Sequence, residues 1–199
     1  MTVVFLIRHA AHAELGRSLT GRKAGVALSE SGARQALALG ERLIREPISK
    51  IYSSPRLRAR ATAEAIGDRL RLPVEVDQDL DEIDFGKWTG ASFEELACDP
   101  SWRQWNEARA TASPPDGESM AEAAARIVRG IGRICGQHRN SAAVALVSHC
   151  DMIRGAVAHY LGLSLNNLLR FDIDPASITR LEVGAWGGRV AALNETTGI

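Results

Sequence analysis

The chain is poor in lysine and cysteine, carries no net charge and contains no long apolar run. Lys+Arg and Asp+Glu each count 24 in 199 residues, so the overall balance gives no reason to expect nucleic acid or an anionic membrane as partner. Lysine occurs only at Lys23, Lys50 and Lys87; the other cations are arginine, the better bidentate partner for phosphate or carboxylate. A GC-rich coding sequence would produce the same bias. The three cysteines, Cys98, Cys135 and Cys150, show no C-x-x-C spacing and are odd in number. That argues against a disulfide scaffold and fits a reduced, cytoplasmic chain. No stretch reaches the ~20 apolar residues that cross a bilayer, and the N-terminal apolar run is too short and too uncharged at its start for a signal peptide. The chain has no G-x-S-x-G, P-loop or G-x-G-x-x-G motif. Asp77, Asp79 and Asp81 open like a calcium loop, but Glu82 stands where Gly is required. His12 lies near His9, yet no third residue has zinc-like spacing. None of these patterns supplies a metal or cofactor site.

What is present is a soluble globular composition, 45% apolar and 24% charged, long enough for one domain over 1–199. Thr2 to Ile7 reads as a fully buried strand that stops at Arg8-His9. Ala142 to Val147 does the same and stops at Ser148-His149. Between them the pattern predicts a long loop over 10–28, a helix from about Ala33 to Ile44, a strand over Ile48–Tyr52, and a helix opened by Ser53-Ser54-Pro55. A short strand over Pro73–Val76 and an acidic loop over 77–91 follow. Ser92…Glu95 and Ser119…Glu122 fit capping boxes, with Trp102, Trp105, Pro114 and Pro115 in a short helical insertion between them. A helix is expected over about 150–161. The tail, about 169–194, alternates like antiparallel strands broken at Gly187-Gly188. The expected fold is α/β: three layers, α/β/α, with a mostly parallel central sheet, antiparallel C-terminal strands and a helical insertion of about 86–118 over the site.

Two histidines at the C-terminal ends of buried strands are hard to explain by packing, because that edge is where open α/β sheets bind ligands. Arg58 adds a second oddity. A cation in the first turn of a helix opposes the dipole at a cost of about 0.3–1 kcal/mol, and Arg56 and Arg60 crowd the same end. A bound anion would turn that penalty into a gain. Glu82 supplies an acid within Leu80-Asp81-Glu82-Ile83-Asp84-Phe85-Gly86. Taken singly, each of these residues has an ordinary reading as a solvated or hydrogen-bonded side chain. Together they comprise a nucleophile, anion clamps and an acid, the minimum for phosphoryl transfer through a covalent intermediate.

These segments resemble the histidine phosphatase (phosphoglycerate mutase-like) superfamily. Arg8-His9-Ala10 is similar to its Arg-His-Gly motif, Tyr52 to Ala63 to its second-arginine segment, and Leu80 to Gly86 to its general-acid loop. Gly117-Glu118-Ser119 and Val147-Ser148-His149 complete the set in the family's order. The resemblance implies that His9 is the nucleophile, that Arg8, Arg58 and a protonated His149 surround the phosphoryl group, and that Glu82 is a general acid–base with a pKa raised by burial or by Asp81 and Asp84. It implies further phosphate contacts from Thr20, Gly21 and Arg22 and from the backbone of Cys150, and no metal. The chain departs from the family at Ala10-Ala11-His12, at Leu15, near the place of an expected Asn, and at Cys150, where Gly is common. Cys150 reads either as a small buried residue or as an oxidation-sensitive thiol.

The implied activity is a metal-independent phosphatase of the phosphatase branch, acting on a small phosphorylated metabolite. A cofactor-dependent phosphoglycerate mutase is the alternative, and a silent phosphate-binding protein is a third reading. Family mutases carry a longer, more basic segment after the acid than Lys87-Trp88-Thr89-Gly90. Arg22, Lys23, Trp88, Trp102, Arg103 and Trp105 are candidates for the substrate rim.

Overall fold

The computed structural model describes residues 1–138 and 143–197. Six strands form one sheet: β1 (Thr2–Arg8), β2 (Ile48–Ser53), β3 (Val74–Val76), β4 (Ala143–Ser148), β5 (Ile178–Gly184) and β6 (Gly187–Glu195), in the order β3-β2-β4-β1-β5-β6. β3, β2, β4 and β1 run parallel, whereas β5 and β6 are antiparallel. The mostly parallel sheet with antiparallel C-terminal strands is as expected. Ala142, the expected start of the second histidine-bearing strand, lies outside the described residues.

Alternation along the strands divides the core between the two faces. Phe5, Ile7, Ile51, Ala145 and Val147 pack with α1 (Glu30–Leu43) and α2 (Leu57–Leu70). Val4, Leu6, Val144 and Leu146 pack with α5 (Met120–Gln137) and α6 (Cys150–Leu161). Between β3 and α5 the chain forms α3 (Phe93–Ala97) and α4 (Pro100–Glu107), joined to the sheet through 3-10 turns at Gln78–Leu80 and Gly86–Trp88. Both capping boxes form, at Ser92/Glu95 and Ser119/Glu122.

Two expectations shift. Pro55 does not occupy the first turn of α2: that helix begins at Leu57 with Arg56 as its N-cap, which places Arg58 second in the helix. The tail starts pairing only at Ile178, because Leu165–Arg170 forms a 3-10 helix capped by Ser164. The turn between β5 and β6 is Ala185-Trp186, and Gly187-Gly188 already belong to β6.

Segment 10–28 is anchored at both ends. Ala11 N donates to Gln35 Oε1 (3.0 Å), and Ala11 O accepts from Ser29 N (3.0 Å). His12 bridges to Leu28. Further on, Leu19 N donates to Ala91 O and Gly90 N to Leu19 O (both 2.8 Å), which zips the segment to the start of the insertion. Its close approach to α1 requires glycine at position 32, where a Cβ would lie 1.8 Å from Ala11 O. Replacing Gly32 by Ala is expected to cost about 2 kcal/mol or more, through overpacking against backbone. Thermal unfolding of Gly32→Ala checks this, and an unchanged Tm would contradict it.

Candidate active site

Parallel pairing aligns Arg8 with Ser148, so His9 and His149 both leave the sheet one residue later, at the same edge. His9 N donates to Ser148 O (3.0 Å), and Ser54 N donates to Val147 O (2.9 Å), which brings the β2–α2 turn to the same edge. The rings of His9 and His149 are 5.1 Å apart.

His9 Nδ1 lies 2.8 Å from Ala10 O, a contact that requires the proton on Nδ1. Nε2 is then the bare nitrogen, and it accepts from Arg58 Nε at 3.2 Å. Arg58 is 1% exposed. Its Nη2 donates to Gly21 O (2.8 Å) and to His149 Nδ1 (3.2 Å), and lies 3.6 Å from Glu82 Oε2. Its Nη1 has no partner among the described residues, nor has Arg8 Nε; Arg8 Nη1 donates to Ile173 O. Buried unpaired guanidinium nitrogens are costly, and they are what an anion site needs. His149 Nε2 lies 2.7 Å from Ser54 Oγ, which in turn is 3.3 Å from Asp81 Oδ1, a relay that fixes the ring. Because Nδ1 of His149 accepts from Arg58, Nε2 carries the proton.

Burial and surrounding guanidinium groups set the protonation states. Desolvation first, then Arg58 and Arg8, hold His9 well below the ordinary histidine range. His149 is likewise held low by desolvation and Arg58. These effects favour its neutral form, whereas the resemblance implies a protonated group beside bound phosphate. Its 3.4 Å approach to Glu82 Oε2 is accordingly not a salt bridge. Glu82 is pushed up to about 7, mainly by burial; Asp151 and Asp81 push the same way, while Arg58 and the bond from Ile83 N oppose them. Asp84 faces Arg22 (3.4 Å) and accepts from Gly86 N (3.0 Å).

The acid loop is strapped from outside. Arg56 forms a bidentate pair with Asp81 (2.8 Å to each oxygen). Arg126 of α5 donates to Asp81 O (2.8 Å) and Glu82 O (3.2 Å) and to Glu118. Arg22 corrects another expectation. Its Nε donates to Glu82 O (2.8 Å) and its Nη2 to Glu118 Oε2 (3.1 Å), so it holds the acid loop and does not line the cavity. Glu118, within the Gly-Glu-Ser turn, is the carboxylate shared by Arg22 and Arg126. The loop closes through Gly86 at φ +51°, where a Cβ would meet Pro115 O at 2.1 Å. Of the three arginines at the start of α2, only Arg58 enters the site: Arg56 holds Asp81, and Arg60 pairs with exposed Glu64.

A cavity of about 230 Å³ opens above this floor. Arg8, His9, Thr20, Gly21, Glu82 and Cys150 line it, as do Leu15, Phe93 and Trp102. Cys150 lies in the first turn of α6, where backbone N–H groups lack intrahelical partners. Its Sγ is 3.6 Å from Ile173 O and its thiol is pushed up to about 11 by burial, so it is no reactive thiolate. Of the rim candidates only Trp102 lines the cavity. Trp88 and Trp105 are buried, Lys23 pairs with Glu14 (2.9 Å), and Arg103 is exposed away from it. Sequence reasoning missed Ser54, Arg109, Asp151 and Arg154. Asp151 and Arg154, on the helix that follows His149, were open to a local reading; Arg109 reaches the site only through tertiary packing. Among the described residues no group of three or more His, Cys, Asp or Glu is placed to hold a metal ion, and no helix is long and apolar enough to cross a membrane.

A buried imidazole with an unprotonated Nε2 beside two arginines, a second imidazole and a carboxyl raised to about 7 fits a class of phosphoryl-transfer enzyme. The chain belongs to the histidine phosphatase superfamily (branch 1), whose family model matches residues 4–196. Over 201 residues it is 31% identical to phosphoserine phosphatase 1 of Hydrogenobacter thermophilus, covering 98% of this chain and 93% of that protein. It is 36% identical over 202 residues to a bifunctional protein of Mycobacterium tuberculosis, covering 99% of this chain but spanning only 54% of that protein. Its fold is similar to that of a mycobacterial glucosyl-3-phosphoglycerate phosphatase, with TM-score 0.87, 27% identity, and coverage of 98% and 99% of the two chains. The family and these relatives make the chain a phosphomonoester hydrolase.

The raised pKa of Glu82 has a cost in stability. Its folded pKa exceeds its unfolded one, so the folded state binds the extra proton between about pH 4.5 and 7 and loses stability as pH rises through that window. Glu82→Gln removes this loss. The expected result is a gain of about 1–3 kcal/mol over the wild type at pH 8, shrinking toward pH 4.5. Denaturant unfolding at the two pH values checks it; a pH-independent difference would contradict it.

Proposed function

We propose that the protein hydrolyses a small phosphate monoester without a metal, through a phosphohistidine on His9. The observation that carries this reading is the tautomer of His9: with its proton held on Nδ1 against Ala10 O, Nε2 is the unprotonated nitrogen, and its electron pair is held toward Arg58, where a phosphoryl group would be clamped. His9 Nε2 attacks phosphorus, the N–P bond forms as the P–O bond to the leaving group breaks, and Glu82 gives that oxygen its proton. Glu82 then takes a proton from water, whose oxygen attacks the phosphohistidine and frees His9 and inorganic phosphate. Arg8, Arg58, the backbone at Thr20–Gly21 and the first turn of α6 balance the equatorial oxygens. His149 enters neutral as a hydrogen-bonding partner, and an arriving dianion favours its protonation. Two guanidinium groups and a helix N-terminus supply the positive charge that a metal would otherwise bring.

Hydrolysis is favoured over mutase chemistry by the segment after Glu82. Its one lysine, Lys87, is exposed, pairs with Asp116 at 2.9 Å and does not line the cavity. The cavity volume also favours a small leaving group, since it falls below the ~300–1,000 Å³ usual for drug-sized ligands.

His9→Ala is expected to lose about 1,000-fold or more in kcat on an aryl phosphate, whereas EDTA leaves the wild-type rate unchanged. Inactivation by EDTA, or a His9→Ala enzyme within tenfold of wild type, would overturn the mechanism. The wild-type rate on a poor leaving group should fall above about pH 7 as Glu82 ionises. In Glu82→Gln that alkaline limb should vanish, with the loss greatest for alkyl esters and least for nitrophenyl phosphate. Equal losses across leaving groups would remove Glu82 as the acid.

A further inference from the structure

A third imidazole lines the cavity, and the reaction described above gives it no task. His12 follows His9 by three residues, in the stretch where the chain departs from the family motif. It is 6% exposed. Its ring centroid lies 5.5 Å from that of His9, close to the 5.1 Å between His9 and His149. His9 therefore has two imidazole neighbours at similar range. The backbone that carries His12 is fixed: Ala11 is bonded to Gln35 and Ser29, His12 bridges to Leu28, and His12 O accepts from Leu15 N at 3.1 Å.

A polar ring so enclosed normally bonds to protein. His12 does not. Its Nδ1 is enclosed without a partner among the described residues, whereas Nε2 is not enclosed and makes no hydrogen bond to any of them. A neutral imidazole has one N–H and one bare nitrogen. Enclosed N–H groups without a partner are rarer than under-bonded acceptors, so the bare nitrogen is Nδ1 and the proton sits on Nε2. Burial, then Arg58 and Arg8, hold the ring down to about 4 against the opposing pull of Glu14, so it is uncharged at neutral pH. The cavity thus gains an uncharged donor on a wall shared with Arg8 and His9. Such a donor suits an anionic oxygen, and its hydrogen bond is strengthened by the charge on that oxygen.

We propose that His12 is a binding residue of the phosphoryl site, donating from Nε2 to a non-bridging oxygen of the group that His9 receives. This role rests on the reading of His9 as the nucleophile. Unlike Glu82, His12 moves no proton, so its contribution stays constant over the pH range in which Glu82 ionises. The competing account is packing alone, in which any flat ring of that size would serve as well.

Inorganic phosphate reads the contact with no leaving group present. His12→Phe keeps a ring and removes the donor. At one pH it should raise the Ki of phosphate and the KM of an aryl phosphate together, each by roughly tenfold or more, the size of one hydrogen bond to an anion. His12→Gln, whose amide nitrogen reaches the place of Nε2, should restore most of that affinity. His12→Asn, whose amide nitrogen reaches only the place of Nδ1, should not. The ratio of variant to wild-type Ki should be the same between about pH 5.5 and 8, because the ring is neutral throughout. A His12→Phe enzyme with the wild-type Ki overturns the contact. Equal losses in His12→Gln and His12→Asn overturn it as well, and that contrast decides alone where His12→Phe does not fold. A KM that shifts from ester to ester while the phosphate Ki stays put assigns the ring to the leaving group and also overturns it. Failure of the underlying reading shows separately: a His9→Ala enzyme that keeps turnover takes the phosphoryl group off His9, whatever the His12 variants do.

Discussion

The parallel pairing of β1 with β4 is the contact on which the site depends. Its register sets Arg8 opposite Ser148, and the bond from His9 N to Ser148 O continues the ladder one step past the strand ends. Two histidines 140 residues apart in sequence thereby become neighbours at the carboxyl edge of the sheet. A one-residue slip would turn each side chain to the opposite face. The runs Val4–Ile7 and Val144–Val147 are fully buried on both sides, so such a slip would have to rebuild both halves of the core. The pairing of β2 with β4 extends the same logic to Ser54 and, through α2, to Arg58.

Burial then does the chemical tuning. Arg58 touches His9, His149, Glu82 and the backbone of Gly21, so one enclosed cation disfavours a proton on both imidazoles and works against the desolvation that keeps the acid protonated. An uncompensated buried guanidinium destabilises a fold. In the proposed reaction the same arrangement is a preorganised anion site, and desolvation pushes Glu82 up to about 7. Arg22, Arg56 and Arg126 act one layer further out. They grip the backbone and carboxylates of the acid loop, so the position of Glu82 is set by three elements outside that loop.

How far the sequence could be read follows from which interactions are local. Arg8-His9 and Ser148-His149 stood out because an apolar run ends abruptly in a polar pair, a pattern visible without any contact map. Capping boxes at Ser92 and Ser119 are equally local and formed as read. The family resemblance tied Arg58 and Glu82 to those ends, where their own neighbourhoods left ordinary readings open. What misled were residues whose role is settled by distant partners. Arg22 belongs to Glu82 O and Glu118, not to a phosphate. Trp88 and Trp105 fill the core under the insertion. Arg109 and Arg154 lie 45 residues apart in the chain and meet only at Asp151, so no spacing rule could have paired them.

The central claim is that His9 Nε2 forms a bond to phosphorus, and trapping that bond tests it most directly. The wild type would be mixed rapidly with a fluorinated or nitrophenyl phosphate, quenched in base, digested and analysed by mass spectrometry. The account predicts a base-stable, acid-labile phosphoryl group on the peptide that contains His9, formed in a burst before phosphate release and absent from His9→Ala. A phosphoryl group on another residue, or full turnover with no covalent species at any quench time, would contradict it.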